Sequence, residues 1–455
     1  MQNTSLKEAI EKVRNSHLNK VKLAVVDIDG VMRGKIISRD KFLSIAEGGL
    51  GFCDVVFGWD ANDVAYDNAQ VTGWHTGYPD SNATIDAGTY REIPWEDGLP
   101  FFLADFSNAE SGVKQTCPRT LLKNVIAKAN DMGFHPYFAQ EFEWFNFRET
   151  PESAHEKGYR DLQPISPGMF GYSVLRQSNN REFFNDIFDL MTDFNVPIEG
   201  IHTETGPGVY EAAMLYSDAL EAADRAVLFK AGVKEIAHNY GIVASFMAKI
   251  SDQLPGCSGH VHQSLWDKEK KQNLFFNPDK GDKISDLMRS YMAGQLACFR
   301  DILPMVAPTI NSYKRLVVGA WAPTTLTWGV DNRTTMLRAL PLGAKSCRIE
   351  TRVVGSDSNP YLAIAACLAA GLYGIEKGLQ LDVEATKGNG YENKTNGVLP
   401  GTLDEAANRM RNSKIANELF GETFVEHFTG TRLWEVRQFN KFVTDWEWKR
   451  YFEVI

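Results

Sequence analysis

The sequence predicts an α+β fold in two unequal parts, a small β-rich unit followed by a larger unit of mixed strands and helices. Three observations carry this. A hairpin pattern opens the chain, short strand-like runs rich in Gly, Asp, Asn and aromatics continue to about Phe106, and strand and helix periods interleave beyond a polar linker. With 455 residues, 44% hydrophobic and 23% charged, the chain has an ordinary globular composition and can bury a large core.

Residues 1–20, MQNTSLKEAIEKVRNSHLNK, lack the apolar centre of a signal peptide and read as a short amphipathic helix. Val21 to Val26 is an apolar strand, and Asp29-Gly30 offers a turn before Val31 to Ile37, which together read as a hairpin. The letters AVVDIDGV also resemble the nucleophile motif of haloacid-dehalogenase-type phosphatases. A turn between two strands accounts for them equally, and is the reading adopted. Gly48 to Phe106 completes a small domain, 21–112, ending in the apolar run Pro100 to Phe106. The polar stretch Asn108 to Pro118 links it to a large domain, 113–455.

The large domain opens with a helical spacing from Arg119 to Asp131, stopped at Gly133. The strand Pro136 to Phe147 carries Glu141 and Glu143 on one face, and IHTETGPGVYE adds Glu204 and Glu211 around a Gly-Pro-Gly turn. A long helix is predicted from Ala212 to Tyr240, with Gly241 at its end. FMAKISDQLPGCSGHVHQSLW reads as a strand, a Gly-rich loop and a second strand on which His260 and His262 share a face. Asp286 to Leu303 is helical. The basic residues of Asn311 to Leu316, with Arg333 and Arg338, are dense for an acidic protein and suggest an anion site, although a solvated face has the same letters.

In Arg348-Ile349-Glu350-Thr351-Arg352 the charged residues share one strand face. Glu350 suits a divalent metal, and each guanidinium suits an oxyanion. A surface strand with alternating charges is the alternative, and the neighbouring acids and histidines favour the site. Asn359-Pro360 begins a buried, nearly all-apolar helix. Thr386 to Gly401 is a long loop, and two polar helices, Leu403 to Leu419 and Arg437 to Phe452, close the chain.

A net charge of −10 argues against a general nucleic-acid binder. Six scattered cysteines without a CxxC pair suggest neither a zinc module nor a disulfide framework. The most apolar run, Tyr361 to Ile375, is too short to cross a bilayer. A reducing, cytoplasmic location is expected.

Taken in this order, QEFEWF, HTETGPGVYE, GCSGHVHQSLW, NSYKRL, NRTTMLR and RIETR followed by NPYLAIAA resemble the glutamine synthetase family, most strongly from Glu141 to Leu362. The resemblance implies a β-grasp-like N-terminal domain and a large catalytic domain with an antiparallel sheet and flanking helices. It implies a dodecamer of two hexameric rings with sites between neighbouring subunits. It also implies two Mg²⁺ or Mn²⁺ sites, one held by Glu143, Glu204 and Glu211 and the other by Glu141, His260 and Glu350. Arg333, Arg338 and Arg348 match phosphate-contacting arginines. Arg315, Arg352 and Gly256 match glutamate contacts, and His262 and Ser264 match nucleotide contacts. The implied chemistry is phosphorylation of the glutamate side-chain carboxylate by ATP, followed by displacement of phosphate by an amine.

The chain departs from its family where the amine enters. Ammonia-using members carry a Glu in Gly-Tyr-Glu-Ala-Pro, where this chain has Ala320-Trp321-Ala322-Pro323. Trp321 removes a negative charge and supplies an apolar, cation-attracting wall. The family's Phe-Asp-Gly-Ser-Ser becomes Phe57 to Asp63, its Asn-Gly becomes Pro255-Gly256, and the Gln of Pro-Gly-Gln becomes Val209. These changes resemble the γ-glutamyl-amide ligase branch, with methylamine or another alkylamine as the favoured acceptor. Ammonia, or a relative without catalysis, are the alternatives. The sequence around Tyr391 does not match the family's adenylylation segment, so that regulation is not expected.

Overall fold

A computed structural model describes residues 4–110 and 112–455; residues 1–3 of the expected first helix and residue 111 of the expected linker lie outside the described residues. Leu6–Asn15 is helical, closed by a reciprocal Ser5–Glu8 cap and packed down through Ala9 and Val13. Lys20–Val26 and Met32–Ser38 then pair antiparallel. The turn between them uses up Asp27, whose carboxylate accepts from the Asp29 and Val31 amides at 3.0 and 2.9 Å and from Arg33 Nε at 2.9 Å. Buried and bonded on both oxygens, Asp27 is a turn residue.

The small sheet runs in the order 32–38, 20–26, 99–105, 80–85, 50–53, with Arg91–Ile93 on the edge of 99–105. Its two central strands are parallel, Leu23 opposite Phe102, which gives the β-grasp-like character. Leu99–Asp105 is buried along its whole length because both faces are covered. Phe102 and Ala104 join Val13, Phe42 and Val25 in the small core, whereas Phe101 and Leu103 join the core of the large sheet. A buried ionic knot ties the two units: Arg119 donates to Asp105 at 2.6 Å and to Asp224 at 2.9 and 2.8 Å, and Tyr361 Oη donates to Asp224 at 2.6 Å.

The large sheet has the order 328–330, 337–340, 348–351, 261–267, 134–147, 209–214, 198–203, antiparallel except for its first pair. Its spine is the fourteen-residue strand Phe134–Phe147. One expectation needs correction here. Ala212 does not begin a helix: Val209–Met214 is a strand, Ser217–Asp218 pairs with the spine, and the helix spans Ala219–Asn239. Alanines at helical spacing are locally ambiguous, and pairing of Ala212 and Ala213 with Phe142 and Glu141 overrides propensity.

Pro360–Glu376 is buried almost throughout. It meets Asp286–Ile302 so closely that a Cβ on Gly294 would lie 2.2 Å from the Ala370 carbonyl, so glycine is required at that crossing. The 386–401 segment is irregular but pinned: Asn332 Nδ2 donates to the Thr386 and Gly388 carbonyls at 3.0 and 2.8 Å, and Thr325 Oγ1 to that of Gly390 at 2.9 Å. The C-terminal helices also differ from expectation. Ser413 caps a new helix and divides the first into Leu403–Arg411 and Lys414–Phe420. Glu422–Phe439, buried through Phe424, Phe428 and Trp434, was not expected, and the last helix is only Asp445–Tyr451. No helix among the described residues is long and apolar enough to cross a membrane.

Candidate active site

Strand register assembles the site. Arg338 lies opposite Glu350, and Glu350 opposite His262, so three charged or ligating side chains form one cross-strand row. Glu143 lies opposite Glu211, and Glu211 opposite His202, which forms a second row on the other side of the spine. A one-residue slip in any strand would turn its member away. The rows face a cavity of about 710 Å³ lined by Glu141, Glu143, Glu204, Glu211, His260, His262, Arg315, Trp321, Arg333, Arg338, Arg348, Glu350, Arg352 and Gly256. Ser264, on the same strand face as His262, lies instead in an adjoining cavity of about 240 Å³ with Tyr137, Trp266 and Lys345, which shares Glu141, His262 and Arg348 with the first.

At one end the carboxylates are tightly engaged. His260 Nδ1 lies 3.0 Å from Glu141 Oε1 and 3.2 Å from Glu350 Oε1, and His262 Nε2 lies 3.4 Å from Glu141 Oε2. Arg338 donates to Glu350 at 2.8 Å and to Asp331 at 2.6 Å, while Arg352 grips the other Glu350 oxygen and donates from Nε to the Arg333 carbonyl at 2.9 Å. Burial pushes Glu350 up, but His260 and Arg352 outweigh it and hold the carboxyl at about 2. Glu141 likewise stays well below its usual range against the cost of burial, through His262 and His260.

The other group is short of positive charge. Burial, with Glu141 and Glu143 adding to it, pushes Glu211 up to about 8 although His202 pulls it down. Burial lowers the His202 pKa, but its bond to Glu211 prevails and takes it up to about 9. His202 stacks on Tyr172 at 4.4 Å. Glu143 accepts from the Ser258 amide at 2.6 Å, which fixes one of its oxygens.

Gly256 sits where a Cβ would lie 2.5 Å from the Ala248 carbonyl and 2.8 Å from Arg315 Cγ, so only glycine admits the loop to the cavity wall. Arg315 points its guanidinium at the carbonyls of Val353 and Arg352, at 3.0 and 3.1 Å. Trp321 stands on the rim, 62% exposed, in a left-handed backbone conformation with φ 57°. Val209 is buried with Phe145, Phe147 and Cys257, so that departure from the family is a packing change. Phe57 to Asp63 does not line this cavity: Asp60 accepts from Trp434 Nε1 at 3.0 Å and Asp63 from Arg33 at 2.9 Å. Tyr391 is buried.

The model of the glutamine synthetase catalytic domain matches residues 115–451. The chain belongs to the glutamine synthetase family. Among its relatives, type-1 glutamine synthetase 2 of Dictyostelium discoideum is 51% identical over 98% of this chain and 86% of that one. The glutamate–isopropylamine ligase of Pseudomonas sp is 37% identical over 99% of both chains. A solved structure described as a GmaS/ADP complex superposes with a TM-score of 0.84 at 26% identity, covering 99% of this chain and 100% of that one. Ligases of this family use ATP and divalent metals such as Mg²⁺ or Mn²⁺.

The residues present fit such metals. Ligand atoms of Glu141, His262 and Glu350 lie within 4.8 Å of one another, as do those of His202, Glu204 and Glu211. His260 Nε2, His262 Nε2 and Glu204 Oε2 are buried without a hydrogen-bond partner among the described residues. Carboxylate oxygens with one or two imidazoles are the donor set that Mg²⁺ and Mn²⁺ accept. His202 and Tyr172 were not singled out from the sequence. The His-x-Glu spacing of His202 and Glu204 on one strand face was the available signal for the first, and nothing local marked the second.

Proposed function

We propose that this protein is an ATP-dependent ligase that joins the γ-carboxylate of L-glutamate to a small primary amine, an alkylamine such as methylamine before ammonia, through a γ-glutamyl phosphate. The single observation carrying the choice of amine is Trp321 on the cavity rim. An indole there offers an apolar wall to an alkyl group and no carboxylate to bare ammonium. The full-length similarity to a glutamate–isopropylamine ligase supports it. The 51% identity to a glutamine synthetase favours the second reading, ammonia as acceptor.

In this reading Glu143, Glu204 and Glu211 would hold one metal and Glu141, His260 and Glu350 the other, with His202 and His262 within reach of the same groups. Such metals, when bound, neutralise phosphate charge. Arg333, Arg338 and Arg348 meet the transferring phosphoryl group, and Arg338 and Arg348 come pre-oriented by Asp331, Glu350 and His262. Arg315, Arg352 and Gly256 hold glutamate, while His262 and Ser264 border the nucleotide. Phosphate is then a far better leaving group than a carboxylate oxygen. A dodecamer, in which the small domain of one subunit covers the large domain of the next, belongs to the same proposal.

A panel of ammonia, methylamine, putrescine and aniline with ATP and glutamate, read by phosphate release and product mass, tests this. Alkylamines should be used in preference to ammonia. A clear preference for ammonia selects the second reading, and silence with every amine removes the ligase.

A further inference from the structure

The helix Ala219–Asn239 packs behind the spine strand, and on it Lys230 makes an unusual set of contacts. Its Nζ donates to the main-chain carbonyls of Ser356 and Ser358, at 2.8 and 3.1 Å, and lies 5.5 and 5.7 Å from the rings of Phe142 and Phe246. The two carbonyls belong to the turn that follows Arg352 and precedes the helix at Pro360. Burial pulls Lys230 down to about 7, but Nζ keeps two hydrogens even when neutral and three when charged, so at the end of its long stem one side chain can hold carbonyls two residues apart.

The same turn carries the glutamate end of the cavity. The Arg352 and Val353 carbonyls receive the Arg315 guanidinium. The Ser356 amide donates to the Cys257 carbonyl, next to Gly256, at 3.2 Å, and Ser356 Oγ donates to the Glu143 carbonyl at 2.7 Å. Asp357 accepts from Thr309 and Ser312 at 2.8 and 2.6 Å, which ties in the short helix that ends at Arg315. Lys230 therefore reaches Arg315, Arg352 and the Gly256 loop through a single turn, without entering the cavity.

We propose that Lys230 is a positioning residue for glutamate binding: by tethering Ser356 and Ser358 it sets the turn on which Arg315 and Arg352 are hung. This rests on the reading of those arginines as glutamate contacts. Groups facing the nucleotide, His262, Ser264 and Arg348, sit on strands before the turn and should be little affected.

The test uses the full-length protein with Lys230→Met, which keeps the length of the stem and removes the donors. The KM for glutamate should rise about tenfold with kcat within about threefold and the KM for ATP within about twofold. Amide exchange in 353–359 should quicken, and Lys230→Arg should recover most of the affinity. Ser356→Ala, cutting a neighbouring tie of the same turn, should raise the glutamate KM about threefold, and it carries the test if Lys230→Met does not fold. An unchanged glutamate KM with unchanged exchange overturns the proposal, as does a parallel loss in glutamate KM, ATP KM and kcat that Lys230→Arg does not rescue. Exchange is read without turnover, so an enzyme silent with every amine would bring down the ligase reading while the tether stands or falls by exchange.

Discussion

The two ends of the cavity are built by different means. At the sheet end Glu141, Glu143, Glu211, His262, Arg338, Arg348 and Glu350 project from paired strands and several hold one another: Glu350 is fully buried between Arg338, Arg352 and His260. At the rim, part of which we propose receives the amine, the side chains project from turns. Trp321 and Tyr172 both take positive φ, at 57° and 55°, and are 62% and 70% exposed. Phosphoryl transfer demands charges fixed in advance, and a sheet provides that fixity. Choice of acceptor needs only a wall of the right shape and polarity, which a turn can change without disturbing the strands.

The sharpest way to break this contrast is at Glu350. Glu350→Ala should lower ATP-dependent phosphate release at least about 10³-fold, since it removes a proposed metal ligand and takes from Arg338 and Arg352 the buried carboxylate they share. Near-normal release would remove the metal assignment. The buried ionic knot at Arg119 provides a comparison without a cavity. Arg119→Met leaves Asp105 to Lys123 and Asp224 to Tyr361 and should cost about 3 kcal/mol in denaturant unfolding, with activity per folded molecule retained. Burial pushes Asp105 up, but Arg119 and Lys123 overcome it and hold the carboxyl at about 2. Its folded-state pKa is thus below the unfolded one, so its stabilisation is present above about pH 4 and is lost as pH falls through about 2. The variant, with Lys123 alone left on Asp105, should show a smaller acid limb in a pH series of melts, and an unaltered limb would mean that Arg119 is not its source. The smallest effect is expected at the amine end. Trp321→Glu should shift the alkylamine-to-ammonia ratio of kcat/KM by about tenfold to a hundredfold toward ammonia, in competition assays, while the glutamate KM stays put. An unchanged ratio would mean that Trp321 does not shape acceptor choice.

Much of this was legible in the sequence because the letters were spaced by strand geometry. Glu141 and Glu143, and Arg348, Glu350 and Arg352, share faces by their two-residue interval, and the Asp29-Gly30 turn predicted the first hairpin. What failed was local ambiguity. Ala212 to Met214 has helix-forming letters and becomes a strand through its partners, and Glu422–Phe439 went unread because its buried side is not a clean stripe. His202 was missed because its value lies in a partner, Glu211, nine residues away and one strand over.

The chain by itself determined most of the acids and imidazoles that line the cavity and the Trp321 on its rim, because residue identity and interval survive without coordinates. Only the tertiary structure decided that Arg338, Glu350 and His262 form one row, that Asp27 is used up by a turn, and that Lys230 stands behind the arginines. Those facts depend on register and on contacts between distant segments, and neither is written in any single stretch of sequence.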